Sequence, residues 1–137
     1  DASLEGDRIL PLVLDLAEPS PGLGWRNSEW KPFLERAQGW PDLVLMLAVV
    51  HHLLVTARVP IEEVVSLAAA TTRAWVVAEL VEPRDPQFKR LCRGREGLFE
   101  GYGEAAWEQA WGRHFLIDER FRLPASGRVL YRLRLRG

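Results

Sequence analysis

"PDLVLMLAVVHHLL" (residues 41–54) is the stretch on which the fold turns. Apolar residues run without a break from Leu43 to Val50 and then meet two adjacent histidines, His51 and His52. Continuity, in place of apolar–polar alternation, is the mark of a strand covered on both faces, as in a parallel sheet. The run predicts a strand over 42–50 whose carboxyl end delivers the histidines. It is far too short for the ~20 residues that span a bilayer. Neighbouring residues on a helix point ~100° apart, so the pair cannot grip one metal as an i, i+4 pair would, and no metal site is expected. One imidazole can face a cleft while the other packs; the bland alternative is a core strand followed by an ordinary helix.

Outward from this run, the chain reads as elements in alternation. "RILPLVLDLAEP" (8–19) carries Ile9, Leu10, Leu12, Val13 and Leu14 before Asp15, which predicts a buried strand closed by a turn. The loop "EPSPGLGW" (18–25) follows, and a short helix is expected within 27–40. After the histidines, "PIEEVVSLAAATTRA" (60–74) begins with proline and two glutamates, which suits a helix N-terminus. "WVVAELVEP" (75–83) is a further strand, "DPQFKRLCR" (85–93) a short helix, and 102–115 a helix with Trp107, Ala110, Trp111 and His114 on one face. "FLIDERFRL" and "RVLYRLRLR" flank "PASG" as an antiparallel hairpin. In its last strand Val129, Tyr131, Leu133 and Leu135 face one way, and Arg128, Arg132, Arg134 and Arg136 the other.

Composition narrows the function classes. The chain has 137 residues, 47% of them hydrophobic, and a net charge of −1. That is one domain with a real core and no global attraction to nucleic acid or anionic membrane. Cys92 is the single cysteine, which excludes a disulfide framework and points to a reducing, cytoplasmic compartment. The N-terminus "DASLEGDR" is polar and acidic, unlike a signal peptide. The sole methionine is Met46 and the chain begins at Asp1, so a piece of something longer is expected. No phosphate loop, nucleophile elbow or paired-histidine metalloprotease motif is present. The arginine stripe of the last strand reads either as a phosphate-binding face or as a solvated edge that discourages aggregation.

In open α/β sheets, ligands bind beyond the carboxyl ends of the strands. Asp15 stands at such an end, either as a hydrogen-bond acceptor for an amino group such as adenine's or as a turn-forming residue. Trp25, in a Gly/Pro loop, is placed to stack on a ligand, whereas Trp75, Trp107 and Trp111 read as core.

These segments, in this order, resemble the class I S-adenosylmethionine-dependent methyltransferases. "ILPLVLDLAEP" looks like the third strand of that fold, with Asp15 and Leu16 where the adenine is framed. "PDLVLMLAVVHHLL" is similar to the fourth-strand segment. Asp42 begins the strand, Met46 and Leu47 fall where the chain passes the cofactor, and His51 and His52 open the next helix. "WVVAELVEP" looks like the fifth strand, and the hairpin resembles strands six and seven, the last inserted antiparallel between five and six.

The resemblance implies one α/β domain: residues 1–137 as the C-terminal part of a Rossmann-like methyltransferase sheet, partial, with parallel strands and a C-terminal antiparallel hairpin. It implies methyl transfer from S-adenosylmethionine to an unidentified acceptor in the intact protein. His51 or His52 would act as base or acceptor-positioning residue. Asp15, Leu16, Met46 and Leu47 would lie against the cofactor, and Trp25 and Trp30 would border the acceptor. The family's glycine-rich cofactor loop and ribose carboxylate precede the matched region, and no GxGxG occurs in the sequence. This chain alone is therefore expected to bind the cofactor weakly or not at all, and to dimerise, swap elements or depend on an N-terminal segment. A methyltransferase-like binding or assembly module without catalysis is the alternative. A nucleic-acid-binding α/β domain using the arginine stripe is a third, disfavoured reading.

Overall fold

In a computed structural model of the chain, residues 9–137 are described, and the acidic N-terminal octapeptide lies outside them. Four strands form one sheet in the order β1-β2-β4-β3. These are β1 (Leu43–Met46), β2 (Trp75–Leu80), β3 (Phe115–Arg122) and β4 (Val129–Leu135). β1 and β2 run parallel, with Leu43 opposite Trp75 and Met46 opposite Ala78. β4 lies antiparallel to β2 on one side and to β3 on the other, with a register shift in β3 between Ile117 and Glu119. The hairpin and its inserted last strand are thus arranged as expected, in a mixed α/β fold.

Each helix starts where local chemistry permits. α3 (Ile61–Thr71) follows Pro60 and carries Glu62 and Glu63 in its first turn, where carboxylates favour the exposed N–H groups. Its apolar stripe buries Val64, Val65 and Ala68. α4 (Pro86–Cys92) is capped by Asp85, whose carboxylate accepts the Gln87 N–H at 2.7 Å, with Pro86 in the first turn. α5 (Glu104–Trp111) seats Trp107 and Trp111 fully buried against Tyr131 and Phe115. α2 (Val50–Val55) is a short helix with Val50, Leu53, Leu54 and Val55 inside. Val76, Ala78 and Leu80 of β2 and Val129, Tyr131 and Leu133 of β4 complete this core.

Three expectations are corrected. Residues 9–14 form no strand, and Ile9, Leu10, Leu12 and Val13 are exposed. A strand exists only when its backbone groups find a partner, and Pro11 removes one of the donors. The strand expected over 42–50 is confined to Leu43–Met46: the chain bends at Leu47–Ala48, and Val50 already belongs to α2. That strand is not covered on both faces. Val44 and Met46 turn inward, whereas Leu43 and Leu45 are exposed, Leu45 to 59%. The helix expected within 27–40 shrinks to α1 (Phe33–Ala37), because Pro32 lies at its start and Gly39 follows in a left-handed conformation.

Candidate functional site

The parallel strand β1 ends at Met46, and the segment that follows it lines a cleft of about 770 Å³. One wall is the segment Val13–Glu18 and the other is α2 with its flanks, from Val49 to Val59. Asp15, Leu16 and His52 line it together. A smaller apolar pocket of about 410 Å³ adjoins it. Leu16 and Val49 are common to both, and Met46, Leu47, Phe33 and Leu67 line the smaller one.

Asp15 is the turn-forming residue the sequence allowed, and it also lines the cleft. Its Oδ1 accepts the Ala17 N–H at 2.9 Å, a turn of the kind aspartate favours, and its side chain faces the cleft. Leu16 lies beside it, half-buried against the core. Met46 is buried beneath the strand end, and Leu47 is half exposed above it.

The two histidines part company. His52 is exposed and borders the cleft. His51 is 2% exposed and packs inward, its ring centroid 4.3 Å from that of His52. Its Nδ1 has no hydrogen-bond partner among the described residues. Burial lowers its pKa to about 4, with the neighbouring His52 and Arg128 adding to the effect, so its imidazole is neutral at pH 7. Of the two, His52 is the one whose side chain reaches the cleft surface.

Trp25 and Trp30 are not brought to the cleft. They belong to a turn closed by a Leu23–Trp30 bridge and are 77% and 70% exposed. Gly24 in that turn has φ +82, and a Cβ there would meet the Glu29 side chain at 2.6 Å.

Two of the four arginines of the stripe, Arg128 and Arg132, are paired with carboxylates of the protein itself, and β3 contributes further pairs beside them. Arg132 pairs with Asp118 at 2.5 Å and with Glu119 at 3.2 Å. Arg120 pairs with Glu108 at 2.8 Å, and Arg122 with Glu104. Arg136 donates to the Gly112 and Phe115 carbonyls. Arg128, read from sequence as part of the exposed face, is drawn inward instead. Its Nε donates to Asp85 Oδ2 at 2.8 Å and its Nη1 to Glu79 Oε1 at 3.3 Å.

This Glu79–Arg128–Asp85 cluster is what sequence reasoning missed. Burial pushes the Asp85 carboxyl up, but the Arg128 contacts and the Gln87 N–H outweigh it and hold it below the usual carboxylate range. The one signal available was a glutamate inside the otherwise apolar "WVVAEL". Among the described residues no group of three or more His, Cys, Asp or Glu side chains is arranged to hold a metal ion. No described helix is long and apolar enough to cross a membrane.

No family model matches the chain. No solved structure matches it. Over 123 residues the chain is 35% identical to Nodulation protein NoeA of Rhizobium meliloti (strain 1021), which covers 90% of this chain. It spans about a quarter (25%) of the length of that curated relative.

Proposed function

We propose that, in the intact protein, this chain is the C-terminal part of an S-adenosylmethionine-dependent methyltransferase of the class I type. The observation that carries the reading is the sheet. A parallel pair, β1 and β2, is followed by an antiparallel hairpin whose last strand enters between β2 and β3. That is the strand order the resemblance implies for the second half of such a domain. The cleft beyond β1, with Asp15 on one wall and His52 on the other, supports it further. The relative's name gives a process, nodulation, and no reaction.

The residues present suit one end of the cofactor. Asp15 can accept from a purine amino group while Leu16 offers an apolar face to the ring. Among the 137 residues nothing matches the glycine-rich loop or the ribose carboxylate, so the other contacts are expected from elsewhere in the intact protein. When bound, S-adenosylmethionine supplies an electrophilic methyl group on a sulfonium. The chain's own part is to shape the cleft, hold an acceptor against it and accept a proton. His52 takes the proton where the acceptor's nucleophile carries one, and Val49 and Leu53 line the same wall. The open edge of β1 and the exposed side chains of Leu43 and Leu45 are expected to be covered by a preceding segment or by a second copy.

The test is calorimetric titration of the intact protein with S-adenosylhomocysteine. Binding is expected, and Asp15→Ala should weaken it roughly tenfold, the worth of one buried hydrogen bond. Unchanged affinity in that variant rejects the adenine contact. No binding by the intact wild-type protein instead favours a non-catalytic binding or assembly module.

A further inference from the structure

Ala48 has a φ of 53°, in the left-handed region, at the point where β1 gives way to α2. A residue with a Cβ stays there only when its surroundings over-determine it. The surroundings that do so come from a different strand. The Ala48 N–H donates to Glu79 Oε2 at 2.6 Å, across 31 residues of sequence. The other oxygen of the same carboxylate accepts from Arg128 Nη1 at 3.3 Å. Glu79 projects from β2, where its neighbours Ala78 and Leu80 are apolar and buried. An acidic side chain in such a place costs free energy unless its partners offset it.

Service as a counter-ion does not explain it. Arg128 already has Asp85, to which it donates twice, from Nε at 2.8 Å and from Nη2 at 3.4 Å. What Glu79 alone supplies is the acceptor for the turn. The next residue, Val49, carries the carbonyl to which the His52 and Leu53 amides donate at 3.0 and 3.2 Å. Rotation at Ala48 therefore swings the whole of α2.

We propose that Glu79 is a positioning residue for the cleft: it clamps the turn at Ala48 and so fixes the direction in which α2 leaves the sheet and presents His52 opposite Asp15. The proposal rests on the reading of His52 as the proton-accepting group only for its consequence; the clamp stands on geometry. Arg128 orients the carboxylate, and Asp85 orients Arg128 while capping α4. The cluster thereby ties β2, the start of β4 and α4 to a single backbone amide next to Val49, which lines the cleft.

The experiment is nuclear magnetic resonance on the nitrogen-15-labelled intact protein. In the wild type the Ala48 amide should be protected from exchange. In Glu79→Leu, which suits an apolar strand and lacks the acceptor, Ala48 exchange should accelerate tenfold or more and the His52 ring resonances should move. Amides of the β2–β4 ladder should keep their protection. Glu79→Gln, which retains an acceptor oxygen, should restore most of both signals. An Ala48 amide that exchanges freely in the wild type overturns the clamp without any variant having to fold. So does a Glu79→Leu chain in which His52 is unmoved, or one in which every amide accelerates together, since Glu79 would then serve stability alone. None of these readouts depends on cofactor binding, so failure of the S-adenosylhomocysteine titration remains a separate result.

Discussion

His51 and His52 are adjacent in the chain and sit in different surroundings, and each carries its own expectation. The pKa of His51 is about 4 when folded, against 6.5 for a free imidazole. Between those values the unfolded chain takes a proton that the folded chain refuses, so stability falls as pH drops from 6.5 towards 4. The loss is at most about 3 kcal/mol. Denaturant unfolding at pH 7 and pH 4.5 measures it, and His51→Leu should flatten the dependence. For His52, the expectation concerns rate. Under the proposed function, His52→Ala in the intact protein should slow methyl transfer about 100-fold or more to an acceptor that must lose a proton, with little change in S-adenosylhomocysteine affinity. An equal rate in the variant would remove His52 from the chemistry. The turn at Asp15 and the histidine pair after the apolar run left local marks in the sequence, although the strand expected before Asp15 is not formed. The Glu79–Arg128 contact was not legible, since its members lie 49 residues apart and each looked ordinary in its own segment.

Elements follow the same division. α3 and α4 were readable because their signals are local: a proline at the start, glutamates or a capping aspartate beside it, and an apolar stripe. The hairpin was readable because alternation in "RVLYRLRLR" sorts one face to the core and the other to solvent. Residues 9–14 show the limit. Their composition asks for a strand, but pairing is not a property of a segment alone, and Pro11 weakens it further. Asp85 joins two elements, and the cost of its loss should show this. Asp85→Ala removes the α4 cap and leaves Arg128 short of its main partner, which should destabilise the fold by about 3 kcal/mol or more. Asp85→Asn, which keeps the cap, should cost less. Thermal unfolding of the pair separates cap from ion pair, and equal losses would assign the whole effect to the charge.

At the scale of the molecule, one face of the sheet is packed and the other shows Leu43, Leu45 and Phe121 to solvent. β1 is also an edge among the described residues, with unpaired backbone groups along it. The isolated chain is therefore expected to self-associate. Sedimentation should show species heavier than 15.6 kDa, and Leu45→Lys should reduce them. A single monomeric boundary at high concentration would contradict this. By itself the sequence determined the α/β class, the starts of α3 and α4, the hairpin and the apolar run that ends in two imidazoles. Each of these is written in spacing, capping and periodicity within a few residues. Only the tertiary structure decided where that run stops being a strand, which histidine reaches the cleft and which lies buried, and that a glutamate from β2 accepts the amide at the bend between β1 and α2. Those outcomes depend on pairing and burial between segments distant in the chain, and no local pattern encodes a partner that arrives from 31 residues away.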